Sequence, residues 1–244
     1  MSLFFISCKK EYPDTAMVIR DAVKDYDGNK YDAVKIGDQI WMASNLRTKH
    51  FSDGEKIPFY TCGSSLKEPM RYANGDHNNG TLITQKEKRC GFLYNWCAVM
   101  HNANQFNVSG HVQGICPDGW HVPTEEEWRT LRNTVASSET YMKKSRSVSK
   151  ALADKEMWEI PLVIIGTNLI PGCNPAKNNS TGFSALPAGH TGWLGSEGFD
   201  AYFWSCTIEN DNYATAAYIN YTDADLMMNL VIRDGGLSVR CVKD

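Results

Sequence analysis

No run in the sequence approaches the roughly 18 to 20 apolar residues that cross a bilayer, so nothing after the extreme N-terminus reads as a transmembrane helix. A basic surplus is absent as well: 25 Lys and Arg stand against 28 Asp and Glu, a net charge of -3. Phosphate backbones select a basic face, so this balance argues against nucleic acid as a partner. No Cys-x-x-Cys and no paired Cys/His knuckle occurs, which leaves the cysteines without zinc spacing. Gly-x-Ser-x-Gly, a phosphate loop and a dinucleotide-binding fingerprint are all missing, and with them the commonest local signatures of hydrolases, nucleotide enzymes and oxidoreductases. No cofactor is called for.

What remains is a chain of 244 residues, 42% hydrophobic, which is enough for a substantial core. Seven Trp, eleven Tyr and nineteen Gly suit short strands and long polar loops, and the expected class is α+β. Eight cysteines are many for a reducing cytosol and point to an oxidising compartment.

The start, Phe4-Phe5-Ile6-Ser7-Cys8-Lys9-Lys10, is an apolar stretch that ends in a small residue and a Cys before a polar tether. It looks like the end of a bacterial lipoprotein signal with Cys8 as the lipidated residue. The expectation is an exported protein, at the outer membrane or cell surface, that meets the membrane only through that lipid. Residues 1–24 are read as signal remnant and tether. With Cys8 lipidated, Cys62, Cys90, Cys97, Cys116, Cys173, Cys206 and Cys241 remain, so at least one thiol stays unpaired, and spacing alone does not fix connectivity.

From residue 25 the pattern changes. Asp27-Gly28-Asn29 and Gly37-Asp38 are turn signals among Tyr26, Tyr31, Val34, Ile36, Ile40 and Trp41, and they predict a β-hairpin or meander within 25–60. Residues 61–90 read as a long surface loop. Phe92 to Val99 is a buried strand or short helix that periodicity does not arbitrate. Thr124 followed by Glu127 three residues on is a capping box, with Glu125, Glu126 and Glu127 favoured by the helix dipole, so a helix starts there. Trp128, Leu131 and Val135 share its inward face. A second short helix is expected from about Ser147 to Met157. Short strands then follow at Phe183 to Leu186, Tyr202 to Cys206, Ala214 to Tyr221, Leu230 to Arg233 and Leu237 to Val242.

Several of these runs, taken in order, carry a resemblance. Val34-Lys35-Ile36-Gly37-Asp38-Gln39-Ile40-Trp41-Met42-Ala43-Ser44-Asn45-Leu46, Leu93-Tyr94-Asn95-Trp96, Cys116-Pro117-Asp118-Gly119-Trp120-His121-Val122-Pro123-Thr124, Gly182-Phe183-Ser184-Ala185-Leu186-Pro187, Phe203-Trp204-Ser205 and Leu237-Ser238-Val239-Arg240-Cys241-Val242 resemble the Fibrobacter succinogenes major paralogous domain. The match spans about residues 25–244. That family is common in surface lipoproteins of the Bacteroidetes and Fibrobacteres, and its molecular function is largely unassigned. Trp120 to Trp128 and Ser238 to Cys241 are also similar, more distantly, to formylglycine-generating enzymes and sulfatase-modifying factors.

The resemblance implies a C-type-lectin-like fold with two short helices and antiparallel strands, a core at about 90–244 preceded by the hairpin at 25–60. In lectin-like domains a Cys before the first helix bridges to one in the last strand, and Cys116 and Cys241 occupy those places. The closely spaced reactive Cys pair of the formylglycine enzymes is not matched, nor are the calcium motifs of true C-type lectins. No metal site is expected. The histidines lack ligand spacing, and His121 is read as a packed histidine. Glu209-Asn210-Asp211 is read as a solvated turn.

The expected function is therefore non-catalytic: a binding or adhesion module for a protein or glycan at the cell surface. The alternative is an enzyme or accessory factor of an envelope polysaccharide or sulfated-glycan system. The late-strand loops hold Glu209, Asn210, Asp211, Asn212, Tyr213, Tyr218, Asn220, Tyr221, Asp223, Asn229 and Arg233. Their paratope-like mix of aromatic area and adaptable polar groups makes them the candidate ligand contacts. Trp204, within an apolar run, is assigned to the core.

Overall fold

Two tight turns organise the N-terminal strands. Gly28, at φ 82°, takes the left-handed conformation that closes the turn between β1 (Met17–Lys24) and β2 (Lys30–Ile36), where the Asp25 amide donates to the Asn29 carbonyl at 3.0 Å. Gly37, at φ 60°, does the same between β2 and β3 (Gln39–Met42). The computed structural model describes residues 12–60, 64–73, 88–101, 111–161, 168–192 and 196–244. Cys8 and Cys62 lie outside them.

β1 corrects the reading of residues 9–24 as a tether. Val18 pairs with Val34 and Ile19 with Ala33, and a bulge interrupts the ladder before Val23. The strand is a sheet edge with no fully buried position, so it lacks the apolar alternation by which strands are recognised. The expected surface loop at 61–90 is corrected in part as well, since β5 (Arg71–Tyr72) lies within it and is buried. It pairs with β4 (Phe59–Tyr60) and with β6 (Leu93–Tyr94).

The run from Phe92 to Val99 holds both predicted alternatives, β6 and then α1 (Trp96–Met100), whose N-cap Asn95 accepts from the Ala98 amide. After β7 (Trp120–His121), the capping box starts α2 (Glu125–Ser137): the Thr124 hydroxyl accepts from the Glu127 amide at 3.1 Å and the Glu127 carboxylate accepts from the Thr124 amide at 2.8 Å. Trp128, Leu131 and Val135 are its buried residues. Two further short helices follow, α3 (Glu139–Ser145) and α4 (Val148–Leu152), so the described residues hold more helices than the two expected. The helix predicted to reach Met157 stops at Ala153, because Ala153 forms a parallel bridge with Ala185 and its neighbour's amide, Asp154 N, donates to the Ala185 carbonyl. Tertiary pairing outweighs the weak local helix preference there. Phe183 to Leu186 contributes only that bridge and forms no strand.

β8 (Asp200–Ile208), β9 (Tyr213–Asn220) and β10 (Met227–Ile232) make an antiparallel three-stranded sheet. The segment 237–243 then joins the architecture. Leu237 bridges Tyr94 of β6, Ser238 bridges Phe203 of β8, and β11 (Val242–Lys243) lies between β3 and β7 in the five-stranded sheet β1-β2-β3-β11-β7. The predicted bond between Cys116 and Cys241 is present, with Cα atoms 6.0 Å apart, and it fastens this segment to the approach to α2.

Trp41, Trp96, Trp128 and Trp204 are fully buried, which places Trp204 in the core as expected. Burying an indole leaves one N–H to satisfy, and backbone carbonyls do so: Trp128 donates to Trp204, Trp96 to Ser205 and Trp204 to Tyr94. Trp41 stacks obliquely on Trp128 at 4.5 Å, joining β3 to α2. Among the described residues no helix is long and apolar enough to cross a membrane.

Candidate functional site

The β8-β9-β10 sheet has two unlike faces. Ala201, Phe203, Ala217 and Ile219 point into the core formed with α2 and α4. Strand alternation sends Asp200, Tyr202, Tyr218 and Asn220 the other way. Register places Tyr202 opposite Tyr218 and Asp200 opposite Asn220. The two tyrosine rings stack with centroids 4.9 Å apart and planes 10° apart, and His190 meets Tyr202 edge-on at 5.1 Å.

Polar groups ring this aromatic pair. Asn220 Nδ2 donates to Asp200 Oδ1 at 2.6 Å, and the Asn229 side chain bonds to Tyr202 from the next strand but one. The Gly192 amide donates to His190 Nδ1 at 3.1 Å, which fixes that nitrogen as an acceptor and leaves the proton on Nε2. Burial pushes the Asp200 carboxyl above its ordinary value and pulls the His190 imidazole below its own. Burial also raises the Tyr202 and Tyr218 phenols.

The sequence-predicted ligand residues do not form one surface. Tyr218, Asn220 and Asn229 belong to this cluster. Tyr221 packs edge-on against Phe199 at 4.9 Å beside it, and Asp223 lies exposed in the turn after β9. Glu209, Asn210, Asp211 and Asn212 form the exposed β8–β9 turn and Tyr213, also exposed, starts β9; Asn210 Oδ1 accepts from the Asn212 and Tyr213 amides at 2.9 and 3.1 Å. That turn and Asn220 are at opposite ends of β9, about 23 Å apart for eight strand residues.

Arg233 is a correction. It is buried, its guanidinium lies 4.0 Å over the Trp96 ring, and Nη1 donates to the Asp211 carbonyl at 2.9 Å, so it braces the hairpin from beneath instead of facing a ligand. Sequence reasoning left His190 and Asp200 out of the site. The signal for Asp200 was available only as alternation: it has the same parity as Tyr202 in a strand that starts with apolar Ala201 and Phe203 at the odd positions.

A second polar cluster lies at the mouth of β7. His121 is buried, as a packed histidine would be, yet both ring nitrogens meet carboxylates: Nε2 lies 2.8 Å from Glu127 Oε1 and Nδ1 lies 2.7 Å from Asp244 Oδ1. The His111 ring stacks on it at 3.9 Å. Burial works against the charged imidazole, but the bonds from Glu127 and Asp244 outweigh it and hold the His121 pKa above its ordinary value. For Glu127 burial is likewise outweighed, by His121 and the Thr124 amide, and its pKa is lowered.

Cys97, Cys173 and Cys206 are free thiols. Burial pushes the Cys206 thiol up to about 12 and raises that of Cys97, so neither is poised as a thiolate.

These features define a mixed α/β protein with mostly antiparallel sheets, few short helices and a disulfide-fastened terminal segment. Residues 34–243 match the family model described as the Fibrobacter succinogenes major domain, and the chain belongs to that family. No curated protein and no solved structure matches the chain.

Proposed function

We propose that this chain is a non-catalytic recognition module with a C-type-lectin-like body, displayed at the cell surface by a lipid on Cys8, that binds a glycan at the end of the β8-β9-β10 sheet where Tyr202 and Tyr218 stack. The reading is carried by the stacked Tyr202 and Tyr218 rings with Asp200, His190, Asn220 and Asn229 set around them. A sugar ring presents an apolar C–H face and a rim of hydroxyls. Rigid aromatic surface suits the first at low ordering cost, and amide, carboxyl and imidazole groups, with donors and acceptors both present, suit the second. The lectin-like body is supported by the bond between Cys116 and Cys241, the pairing that the family resemblance implied.

A glycan array probed with the intact chain, followed by calorimetric titration of the hits, tests this. Tyr218→Ala is expected to weaken binding about tenfold, roughly 1.4 kcal/mol, while Tyr213→Ala at the far end of β9 leaves it unchanged. The reading fails if no glycan binds, if Tyr218→Ala has no effect, or if a protein ligand is found whose binding depends on Tyr213 and not on Tyr218.

A further inference from the structure

We infer that His111, His121 and Glu127 form a binding site for a divalent transition-metal ion of the Zn2+ type. The ligand atoms of these three residues all lie within 4.8 Å of one another. Two imidazoles and a carboxylate are the N and O donor set that zinc accepts, at about 2.0 to 2.2 Å per bond, with a fourth position open to solvent.

The surrounding hydrogen bonds are arranged as they are around metal ligands. Asp244 Oδ1 sits 2.7 Å from His121 Nδ1, which fixes the ring and aims Nε2 at Glu127 Oε1. A carboxylate on the far nitrogen of a ligating histidine orients the ring and raises its basicity. Glu127 is held in the same way from behind: its other oxygen, Oε2, accepts from the Thr124 amide at 2.8 Å and the Thr124 hydroxyl at 3.0 Å, leaving Oε1 directed at the histidines. Two of the three ligands are thus preset by the backbone and by the start of α2.

His111 is the adjustable one. Its side chain is 57% exposed, and the neighbouring Val112 anchors it by an antiparallel bridge to Val122. The two rings are parallel to within 12°, so their in-plane lone pairs do not converge on one point. Binding an ion requires His111 to turn out of the stack, which its exposure allows. Two carboxylates, Glu127 and Asp244, meet the His121 ring at 2.8 and 2.7 Å, and acidic groups gathered at one point favour a cation.

A second group, Asp53, Glu55 and His101, competes as an explanation for metal uptake. It is less organised, because Asp53 and Glu55 are exposed and the described contacts of the Asp53 carboxylate are the His101 ring and the Glu55 amide.

The experiment is calorimetric titration of the EDTA-stripped full chain with ZnCl2, with a parallel melt. The expected result is one equivalent of Zn2+ bound, a rise in Tm, a loss of about 10- to 100-fold in affinity in His111→Ala, and no change in Asp53→Asn. Because His111 is exposed, its replacement leaves the fold intact, and Glu127→Gln serves as a second ligand variant. The site is overturned if the stripped chain takes up no Zn2+ under excess metal, if His111→Ala binds Zn2+ with unchanged affinity, or if uptake is lost in Asp53→Asn.

Discussion

Arg240 Nε donates to Asn45 Oδ1 at 2.7 Å at a point where Arg240 has no exposure to solvent. The remainder of the guanidinium donates to the carbonyls of Met42, Phe183 and Ser184 and lies 4.6 Å over the Phe183 ring. One side chain therefore joins β3, the loop before β8 and the terminal segment. Burial lowers its pKa to about 9, the mark of a cation held by neutral dipoles.

Replacing Arg240 by Ala leaves those carbonyls without a donor and opens a cavity against Phe183. The expected loss is about 3 kcal/mol or more in urea unfolding, and Arg240→Lys, which lacks the planar fork, recovers only part of it. A loss below about 1 kcal/mol would show that water replaces the guanidinium freely.

The bond between Cys116 and Cys241 closes a loop of sequence separation 125. In the chain-entropy model its removal costs about 4 to 5 kcal/mol, an upper figure. Comparing denaturant midpoints of the oxidised chain and a Cys116→Ala/Cys241→Ala variant measures it. Equal midpoints would mean that the packing of Val239 and Val242 holds the segment alone.

Thr124→Ala removes half of the capping box and is expected to cost about 1 kcal/mol. The Thr124 hydroxyl also donates to the carboxylate that meets His121, so Thr124→Ala and Glu127→Gln should be non-additive in a double-mutant cycle. Simple additivity would contradict the shared network.

Without metal and with EDTA present, stability depends on pH through the same pair. The folded pKa of His121 is raised above 6.5, so its contribution is full below pH 6.5 and fades as pH climbs through the folded value. Glu127 has its folded pKa lowered below 4.5, so its contribution is present above pH 4.5 and fades as pH falls through that lower value. Tm measured across pH should therefore peak between about 4.5 and 6.5 and decline towards alkaline pH, with the alkaline decline absent in His121→Phe.

What was legible in the sequence was local or carried by resemblance. The turns at Gly28 and Gly37 and the capping box at Thr124 and Glu127 are written in adjacent residues. Cys116 with Cys241 came from the family pattern. β1 escaped notice because an edge strand broken by a bulge has no buried alternation, and α3 because its signal is only Ser138 before Glu139 with Lys143 and Lys144 at the end. The site was half legible. Composition marked Tyr218, Asn220 and Asn229, but the Tyr202–Tyr218 stack depends on register, itself altered by an irregularity between Trp204 and Ile208. The inward turn of Arg233 depends on Trp96, more than a hundred residues earlier in the sequence.

Leu237 to Lys243 touches all three sheets, and among the described residues β7 joins its sheet only through β11. A ribosome delivers this segment after every strand that it joins. Until then β6, β8, β3 and β7 have exposed ladder groups, and the nascent protein passes through a stage with open edges, where aggregation competes with folding.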